Sequence, residues 1–333
     1  MGQGKDKMRI IFMGTPDFAV PCLDALVQKG YDVAAVVTQP DKPFGRNQSR
    51  LKASAVKEAS VRHGIKTILQ PTRVKTPEFI GAISELEPDL IVTVAYGKIL
   101  PKSVLDVPKY GCINVHASLL PRYRGAAPIQ WALINGDDIT GITTMFMDEG
   151  MDTGDILLQK EIAIDGDINS QELFERLREL GAVTLIETLE AMESGRLERR
   201  PQDNSKAVYV PMMTKEMGLI DWSKSALEIH NLVRGTNPWP GAYTFYKGTR
   251  MRVWKTTLLD CCPPGSREKA MENDLKQMAV SHRHGEILKI FKQSLVIATG
   301  DGCLLINELQ LDNCKRLNVC DCGHNMDEGE RLE

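Results

Sequence analysis

The stretch CINVHASLLPRYRGAAP, residues 112–128, begins like a buried strand and runs into a loop. Asn114 interrupts the apolar run, and His116 follows two residues later. Because side chains alternate between the two faces of a strand, both residues are predicted on the same face. An amide and an imidazole side by side at the end of a core strand indicate either a hydrogen-bonded core pair or a site for chemistry.

Apolar strands of the same kind precede this stretch and alternate with helices, which the apolar spacing predicts over 16–30 and 54–64. Continuous apolar strands separated by helices indicate a parallel sheet covered on both faces. Ligands in such sheets bind at the carboxyl ends of the strands, where Asn114 and His116 are expected. The predicted strands are RIIFMGT (9–15), DVAAVVTQ (32–39), TILQ (67–70), LIVTVAY (90–96) and CINVHASL (112–119).

A polar segment, DEGMDTGD at 148–155, lies between two further predicted strands over 141–150 and 154–164. Downstream, Asn169 and Glu172 have the spacing of a capping box, which predicts the start of a long helix. The segment falls on a strand–loop junction of the predicted sheet. Its carboxylates are therefore candidates to lie beside the imidazole.

The pattern changes in the second half of the chain. A predicted helix over 225–235 is followed by short strands joined by Gly and Asp turns, which are typical of a small β-barrel. Residues 262–282 are predicted as a loop or insertion in that barrel. The predicted organisation is a disordered extension at 1–7, a catalytic α/β domain at 8–195, a linker at 196–212, a barrel at 213–316 and an acidic tail at 317–333.

The composition is that of a globular protein, with 42% hydrophobic and 26% charged residues in a chain of 333, enough for two domains. No apolar run of about 18 residues is present, so no membrane span is expected. Eight cysteines without a disulfide-like spacing indicate a reducing compartment, and we expect a cytoplasmic protein. Cys320, Cys322 and His324 lack the paired spacing of a zinc site, so no metal is expected.

The formal charge of −3 is unevenly distributed. Residues 213–316 carry 15 Lys and Arg against 11 Asp and Glu, whereas residues 317–333 carry 1 against 5. A basic barrel indicates either an ordinary solvated surface or a surface for a polyanion. The basic candidates in the barrel are Lys215, Lys247, Arg250, Arg252 and Lys255.

Asn114, His116 and the carboxylates of 148–155 form a set suited to acyl transfer to an amine. An Asn amide can donate to a developing oxyanion, and an imidazole can accept a proton. A carboxylate beside the imidazole fixes its tautomer. No G-x-S-x-G nucleophile motif is present, and no G-x-G-x-x-G follows the first strand. The sequence therefore predicts neither a serine hydrolase nor a dinucleotide-binding protein.

Long segments of the chain resemble the folate-dependent formyltransferase family. They are GTPDFAVP (14–21), TQPDKPFGR (38–46), NVHASLLPRYRGAAPIQWALINGD (114–137), ITTMFMDEGMDTGDIL (142–157) and GLIDWSKSALEIHNLVRGTNPWPGAYT (218–244). The resemblance extends over roughly residues 8–316. It implies an α/β fold with a Rossmann-like, mostly parallel sheet (the formyltransferase fold), followed by a small OB-like β-barrel domain.

The resemblance also implies roles for individual residues. Asn114, His116 and Asp152 match the catalytic asparagine, histidine and aspartate of the family. The implied formyl donor is 10-formyltetrahydrofolate, used as a cosubstrate. The positions matching folate-contacting segments are Ser118, Leu119, Leu120 and Pro121, with Tyr96, Gly97, Ile99, Leu100, Met147, Asp148, Glu149, Gly150 and Met151 around the pterin.

The acceptor that the resemblance implies is the α-amine of methionine esterified to initiator tRNA, for translation initiation. In the family, an insertion corresponding to 39–52 contacts the tRNA acceptor end. The basic residues of that loop here are Lys42, Arg46, Arg50 and Lys52. Two alternatives stay open: a formyltransferase for an amino-sugar nucleotide or another small amine, and a folate- or RNA-binding module without catalysis. We expect a monomer.

Overall fold

The computed structural model describes residues 8–44 and 50–333, so the predicted extension 1–7 and Arg46 lie outside the described residues. Contacts divide the chain into two compact units. The first comprises the described residues up to Pro128, then Ile139–Ile162 and Phe174–Val210. The second comprises Ile129–Asp138, Ala163–Leu173 and Pro211–Glu333. This division interleaves the two units along the chain, and it assigns most of the predicted linker to the first.

The elements up to residue 210 alternate as the sequence predicts. The strands are β1 (Arg9–Gly14), β2 (Asp32–Val37), β3 (Lys42–Phe44), β4 (Arg50–Lys52), β5 (Ile68–Leu69), β6 (Leu90–Val94), β7 (Cys112–His116), β8 (Arg124–Gly125), β9 (Ile139–Phe146), β10 (Ile156–Ala163) and β11 (Tyr209–Val210). The helices are α1 (Val20–Gln28), α2 (Ala55–Arg62), α3 (Pro77–Ser84), α4 (Lys102–Leu105), α5 (Pro128–Ile134) and α6 (Ser170–Glu193).

Seven of these strands form one sheet, in the order β10-β9-β7-β6-β1-β2-β5. Neighbours from β7 to β5 pair in parallel, and β9 runs antiparallel to β7. The predicted Rossmann-like, mostly parallel sheet is confirmed. The register sets Thr93 of β6 beside Asn114 of β7, so polar side chains near the carboxyl ends of both strands meet.

The centre of the sheet is fully apolar because both faces are covered. Ile10, Ile11, Phe12 and Met13 of β1 are all inaccessible to solvent. Burial of each such side chain stabilises the fold by about 1.5–3 kcal/mol. A Cβ at Gly14 would come within 2.8 Å of the Ala19 side chain, so the close approach of strand end and following turn requires glycine there.

Side-chain caps define where several helices begin. Asn169 Oδ1 accepts from the Glu172 backbone N–H at 3.0 Å, and Glu172 Oε2 accepts from the Asn169 N–H at 2.9 Å. The predicted capping box is therefore confirmed. Ser225 and Glu228 form a second capping box at the next long helix. Each cap satisfies backbone donors that have no partner within the helix.

The second unit contains an antiparallel sheet with the order β12-β13-β16-β15-β14, with β17 also paired to β16. Its strands are β12 (Ala242–Tyr246), β13 (Thr249–Leu258), β14 (Ile287–Ile290), β15 (Leu295–Ala298), β16 (Cys303–Leu311) and β17 (Leu317–Asn318). Its helices are α7 (Ala226–Thr236), α8 (Arg267–Ala270), α9 (Glu272–Ser281) and α10 (Val319–Cys322). The predicted C-terminal β domain is present.

Residues 262–282 are an insertion between β13 and β14, which agrees with one of the two predicted alternatives, but the segment is not a loop, because it contains α8 and α9. Ser266 caps α8 by accepting from the Lys269 backbone N–H. Leu275 and Ala279, one turn apart on α9, are buried against the sheet. Charged residues between the apolar positions obscure this narrow apolar stripe, so its helical period was missed.

The acidic tail 317–333 is folded onto the sheet of the second unit. Val319, Met326 and Leu332 belong to its hydrophobic core. Because the +4 of residues 213–316 and the −4 of the tail lie in one compact unit, residues 213–333 have a formal net charge of zero. The positive charge of residues 213–316 alone therefore does not indicate a basic domain.

A membrane span is not found in the part of the chain that the structure describes: its helices are too short or too polar to cross a bilayer.

Candidate active site at the end of strand β7

His116, the last residue of β7, is buried, and one of its ring nitrogens is fully engaged. The Tyr123 carbonyl oxygen lies 2.9 Å from His116 Nε2. Since a carbonyl oxygen can only accept, Nε2 carries the hydrogen in this contact. The other nitrogen, Nδ1, faces Asp152 Oδ1 at 3.7 Å, beyond ordinary hydrogen-bond distance. Nδ1 is therefore the ring atom that is left for chemistry.

Asp152 lies on the loop between β9 and β10, and only 16% of its side chain is exposed. Its Oδ2 accepts a hydrogen bond from the Gly125 backbone N–H at 2.8 Å. With Oδ2 engaged by Gly125, the other oxygen, Oδ1, faces His116. A carboxylate in this place stabilises positive charge on the imidazole when Nδ1 takes up a proton.

Asn114, two residues before His116, contacts a hydroxyl of the neighbouring strand β6 through its amide. Its Oδ1 accepts from Thr93 Oγ1 at 2.9 Å. Its Nδ2 donates to no residue in the described part of the chain. An amide N–H₂ held at a strand end without a partner is suited to stabilise an oxyanion.

The segment Ser118–Pro121 uses most of its polar groups within the protein. Ser118 is fully buried, and its hydroxyl donates to the Arg122 carbonyl oxygen at 2.7 Å. The backbone N–H of Leu120 donates to Thr143 Oγ1, and its carbonyl accepts from Gln159 Nε2. The Pro121 carbonyl accepts from the Val208 N–H. Leu119 is half-buried. These bonds fix the backbone next to His116, and the predicted folate contacts stay a prediction.

The segment after β6 combines buried and exposed residues. Tyr96 is buried, its hydroxyl has no hydrogen-bond partner among the described residues, and burial raises its pKa to about 12. Leu100 is buried in the core, whereas Ile99 is 68% exposed. Gly97 has a φ of +79°, which favours glycine at this turn. Only part of this predicted pterin-lining set is therefore accessible to a ligand.

A cavity of about 640 Å³ lies beside Met147, Asp148 and Glu149, three of the predicted folate residues. Its wall also includes Leu105 and Cys112, and burial raises the pKa of the Cys112 thiol to about 12, so the thiol is neutral. The volume is in the range of small-molecule sites, but much of the wall is charged, with Lys102, Asp106 and Arg199 beside the two acidic residues. The wall does not include Asn114, His116 or Asp152, so the cavity does not by itself identify a pterin site.

The loop that contains this part of the cavity wall is ordered by its own polar groups. Asp148 Oδ1 accepts from the Gly150 N–H at 3.0 Å and from Thr153 Oγ1 at 2.6 Å. A Cβ at Gly150 would lie 2.0 Å from Thr153 Oγ1, so this turn requires glycine. Met151 is about half exposed, next to Asp152.

In the predicted tRNA-binding loop, the described residues 42–44 and 50–52 form two exposed, paired strands, which we call the β3–β4 hairpin. β3 pairs antiparallel with β4, and Lys42 lies directly opposite Lys52. Phe44 lies opposite Arg50, and the Lys52 ammonium lies 5.6 Å from the centre of the Phe44 ring. Like charges directly opposite each other are unfavourable in isolation, so this pairing favours a negatively charged partner.

The basic candidates of the second unit are mostly neutralised within it. Lys247 contacts Glu330 at 2.7 Å, and Arg250 and Arg252 approach Asp312 at 3.2 and 3.8 Å. Glu330 and Asp312 thus compete with any phosphate for these three cations. Lys215 and Lys255 form no ion pair with the described residues, and they keep their charges available.

Four residues around the site were not predicted from the sequence: Thr93, Tyr123, Gly125 and Gln202. Thr93 is a lone hydroxyl in an apolar strand beside β7, which is a usable signal. The carbonyl of Tyr123 and the N–H of Gly125 act through backbone atoms, so residue type does not reveal them. In the described residues, no group of three His, Cys, Asp or Glu side chains is arranged to hold a metal ion.

The sequence matches known proteins over both units. Residues 8–189 match the formyl transferase family, and residues 212–324 match the formyl transferase C-terminal domain. The chain belongs to the formyl transferase family. Among relatives, it is 54% identical to a methionyl-tRNA formyltransferase of Acetivibrio thermocellus, with 98% of this chain and 99% of the relative covered. It is 49% identical to a methionyl-tRNA formyltransferase of Clostridioides difficile, covering 94% and 95%.

Solved structures of low sequence identity share the fold of this formyl transferase. WlaRD, a sugar 3N-formyl transferase, aligns with a TM-score of 0.64 at 17% identity, covering 93% of this chain and 100% of its own. HypX from Aquifex aeolicus in complex with tetrahydrofolic acid aligns with a TM-score of 0.60 at 19% identity, covering 94% of this chain. The chain spans about half the length of HypX, 46% in that alignment.

Proposed function

We propose that this protein transfers the formyl group of 10-formyltetrahydrofolate to the α-amine of methionyl initiator tRNA. The observation that carries the acceptor is the identity of 46–54% over nearly the whole chain to relatives named methionyl-tRNA formyltransferase. The geometry at the end of β7 supports acyl transfer to an amine. It holds an amide donor, a ring nitrogen and a carboxylate, all on backbone that internal hydrogen bonds fix.

In the proposed reaction, the neutral amine attacks the formyl carbon and a C–N bond forms. Asn114 Nδ2 donates to the oxygen that becomes negative. His116 Nδ1 takes the proton that the amine nitrogen loses, and Asp152 stabilises the imidazolium. When the bond from the formyl carbon to the folate nitrogen breaks, that nitrogen keeps the electron pair and receives the proton from His116. Transfer therefore leaves a formylated amine and tetrahydrofolate, with His116 neutral again.

The proposal places the folate between the segment after β6, residues 96–100, and the segment after β9, residues 147–151, which match the folate-contacting segments of the family. The backbone of Gly97 and of the segment Ser118–Pro121 would border the donor on the side of His116. The exposed Ile99 and Met151 would add apolar surface that is covered only when the ligand binds.

The β3–β4 hairpin is the proposed contact for the acceptor arm of the tRNA. Lys42, Arg50 and Lys52 are exposed on it, and Phe44 is 57% exposed. Phosphate contacts from lysine and arginine supply affinity without reading sequence. The proposal keeps the expected monomeric state and cytoplasmic location, where initiator tRNA is charged.

The deciding experiment compares acceptors for formyl transfer from 10-formyltetrahydrofolate. The acceptors are charged initiator methionyl-tRNA, free methionine and an amino-sugar nucleotide, with His116→Gln protein as the inactive control. We expect transfer to the charged tRNA alone. Transfer only to the sugar nucleotide would keep the chemistry at His116 and reject the tRNA acceptor, and transfer to none of the three would reject the proposal.

A further inference from the structure

The backbone of Asp152 is held in an unusual conformation. Its φ is +55°, in the left-handed region that residues with side chains rarely adopt. Such conformations persist only where the surrounding structure over-determines them, and they concentrate at functional sites. The residues that contact the Asp152 backbone are therefore candidates to position its carboxylate.

Gln202 supplies two of these contacts from the segment that the sequence predicts as a linker. Its Nε2 donates to the Asp152 carbonyl oxygen at 2.8 Å and to the Gly154 carbonyl oxygen at 2.7 Å. Both hydrogens of one amide are thus used on carbonyls that flank Thr153. The Gln202 amide therefore holds the backbone on both sides of Thr153, including the carbonyl of Asp152, the residue with the left-handed conformation.

The orientation of this amide is set by a buried arginine. Gln202 Oε1 accepts from Arg124 Nε at 3.1 Å and from Arg124 Nη2 at 2.8 Å. A guanidinium can only donate, so the amide oxygen must face it and the N–H₂ must face the loop. Arg124 is only 1% exposed, and its further partners are Asn204 Oδ1 and Tyr209 Oη, each at 2.8 Å.

The segment that carries Arg124 also holds both side chains of the proposed proton-transfer pair. The Tyr123 carbonyl fixes His116 Nε2, and the Gly125 N–H fixes Asp152 Oδ2. Strand β8 is in turn paired in parallel with β11, so residues 124–125 and 209–210 support each other. A Cβ at Gly125 would lie 2.4 Å from the Val210 carbonyl oxygen, which requires glycine at this approach.

We propose that Gln202 is a positioning residue: oriented by Arg124, it holds the Asp152–Gly154 backbone so that the Asp152 carboxylate faces Nδ1 of His116. The catalytic part of this inference rests on the proposed function. Gln202 itself touches neither His116 nor the Asp152 carboxylate, so it acts through Asp152. The segment 196–212 is then part of the active-site architecture as well as a connection.

The test uses Gln202→Glu with Asn204→Asp as its matched control. Gln202→Glu keeps an oxygen for Arg124 but removes both donors to the loop. Asn204→Asp places the same negative charge on the same guanidinium, and among the described residues no hydrogen bond joins the Asn204 side chain to the Asp152–Gly154 loop. We expect Gln202→Glu to lower kcat about 10- to 100-fold with little change in KM for either substrate. Asn204→Asp should retain kcat within about twofold, as a conservative change outside the loop.

A double-mutant cycle separates positioning from a general structural role. In an Asp152→Asn background, Gln202→Glu should cost less than about twofold in kcat, because its effect is transmitted through the Asp152 carboxylate. A fall of the same factor in both backgrounds would overturn the proposal. Wild-type kcat in Gln202→Glu protein would overturn it as well.

Amide hydrogen exchange provides a measurement that does not depend on activity. Gln202→Glu should accelerate exchange in peptides covering 148–155 and leave the β1 and β6 peptides unchanged, whereas Asn204→Asp should leave 148–155 unchanged. Unchanged protection of 148–155 in Gln202→Glu would overturn the positioning role. Should the wild-type protein transfer no formyl group, the proposed function fails, and the exchange result still decides whether Gln202 holds the loop.

Discussion

The two units each bury a histidine, and the difference between them shows what distinguishes a reactive site from a structural network. His116 is 7% exposed and His230 is 5% exposed. His230, on α7, contacts Thr256 Oγ1 through Nδ1 at 2.9 Å and the Gly166 carbonyl oxygen through Nε2 at 3.2 Å. His116 has one engaged nitrogen and one facing a carboxylate beyond hydrogen-bond distance. Burial alone therefore does not mark function, whereas unused bonding capacity beside a charge does.

The asparagines beside the two histidines do not show this difference. Near His230, Asn231 Oδ1 accepts from Arg234 Nε at 2.8 Å, and near His116 the oxygen of Asn114 contacts Thr93 Oγ1. In the described residues, neither amide N–H₂ has a hydrogen-bond partner. An unpaired amide donor therefore does not by itself mark a reactive site. At His116 it lies beside an unengaged ring nitrogen and a carboxylate, where it can stabilise charge that appears only during a reaction.

The largest expected effect is on activity when the same substitution is made at both histidines. His116→Gln keeps an N–H₂ to donate to the Tyr123 carbonyl but removes Nδ1, so kcat should fall about 10²- to 10⁴-fold. His230→Gln should keep kcat, because that ring lies in the structural network. Formyl transfer to charged initiator tRNA measures both, with circular dichroism to verify folding. Equal losses of kcat in the two variants would contradict the distinction between a reactive His116 and a structural His230.

Asn114→Asp is expected to have the next largest effect. The new carboxylate can still accept from Thr93, so the local structure should be kept, but no N–H₂ remains to donate to the oxyanion. Loss of one oxyanion donor typically costs about 10²- to 10³-fold in kcat. Single-turnover rates with saturating folate donor would measure it. An unchanged rate in folded Asn114→Asp protein would contradict the proposed oxyanion role.

Charges on the β3–β4 hairpin should have a smaller effect, limited to binding. Lys42→Gln with Lys52→Gln should raise KM for the charged tRNA and leave kcat unchanged. If each lysine contacts one phosphate, the slope of log affinity against log salt should decrease by about 1.5. The matched control is Lys29→Gln, which removes an exposed charge, paired with Glu190, at the end of α1 that precedes β2, whereas the hairpin follows the carboxyl end of β2. An unchanged salt slope in the hairpin variant would exclude phosphate contacts.

The smallest effect on activity is expected at His230, where the consequence is stability. Burial lowers the pKa of His230 in the folded protein, whereas in the unfolded chain it titrates near its ordinary value of about 6.5. As the pH falls below that value, the unfolded state binds the proton more readily, so the free energy of unfolding decreases. The free energy of unfolding of His230→Gln protein should be about 1–3 kcal/mol lower than that of the wild type at neutral pH, because a buried hydrogen bond is missing.

Thermal unfolding of wild-type and His230→Gln protein between pH 7.5 and 5 tests whether His230 makes the fold less stable as the pH falls. Wild-type Tm should decrease more steeply than the Tm of the variant below about pH 6.5. Parallel Tm curves would show that His230 does not contribute to the acid sensitivity.

The sequence by itself determined the class of the sheet and the order of its elements. Continuous apolar runs such as LIVTVAY can only be buried on both faces, and the period of the intervening segments is helical. The same patterns brought Asn114 and His116 to a strand end, and the segment resemblance named the family. The sequence did not predict α8 and α9, which are short helices with a narrow apolar stripe, because the charged residues on their exposed faces obscure that stripe.

Only the tertiary structure decided which atoms around His116 are occupied and which are free. Tyr123 and Gly125 act through their backbone, and Gln202 comes from a distant charged segment, so no local pattern reveals them. The balance between the +4 of residues 213–316 and the −4 of the tail likewise appears only when the tail is seen to pack on the sheet of the second unit. Hydrogen bonds between distant segments depend on register and closure of the whole fold, which a linear pattern of residue types does not contain.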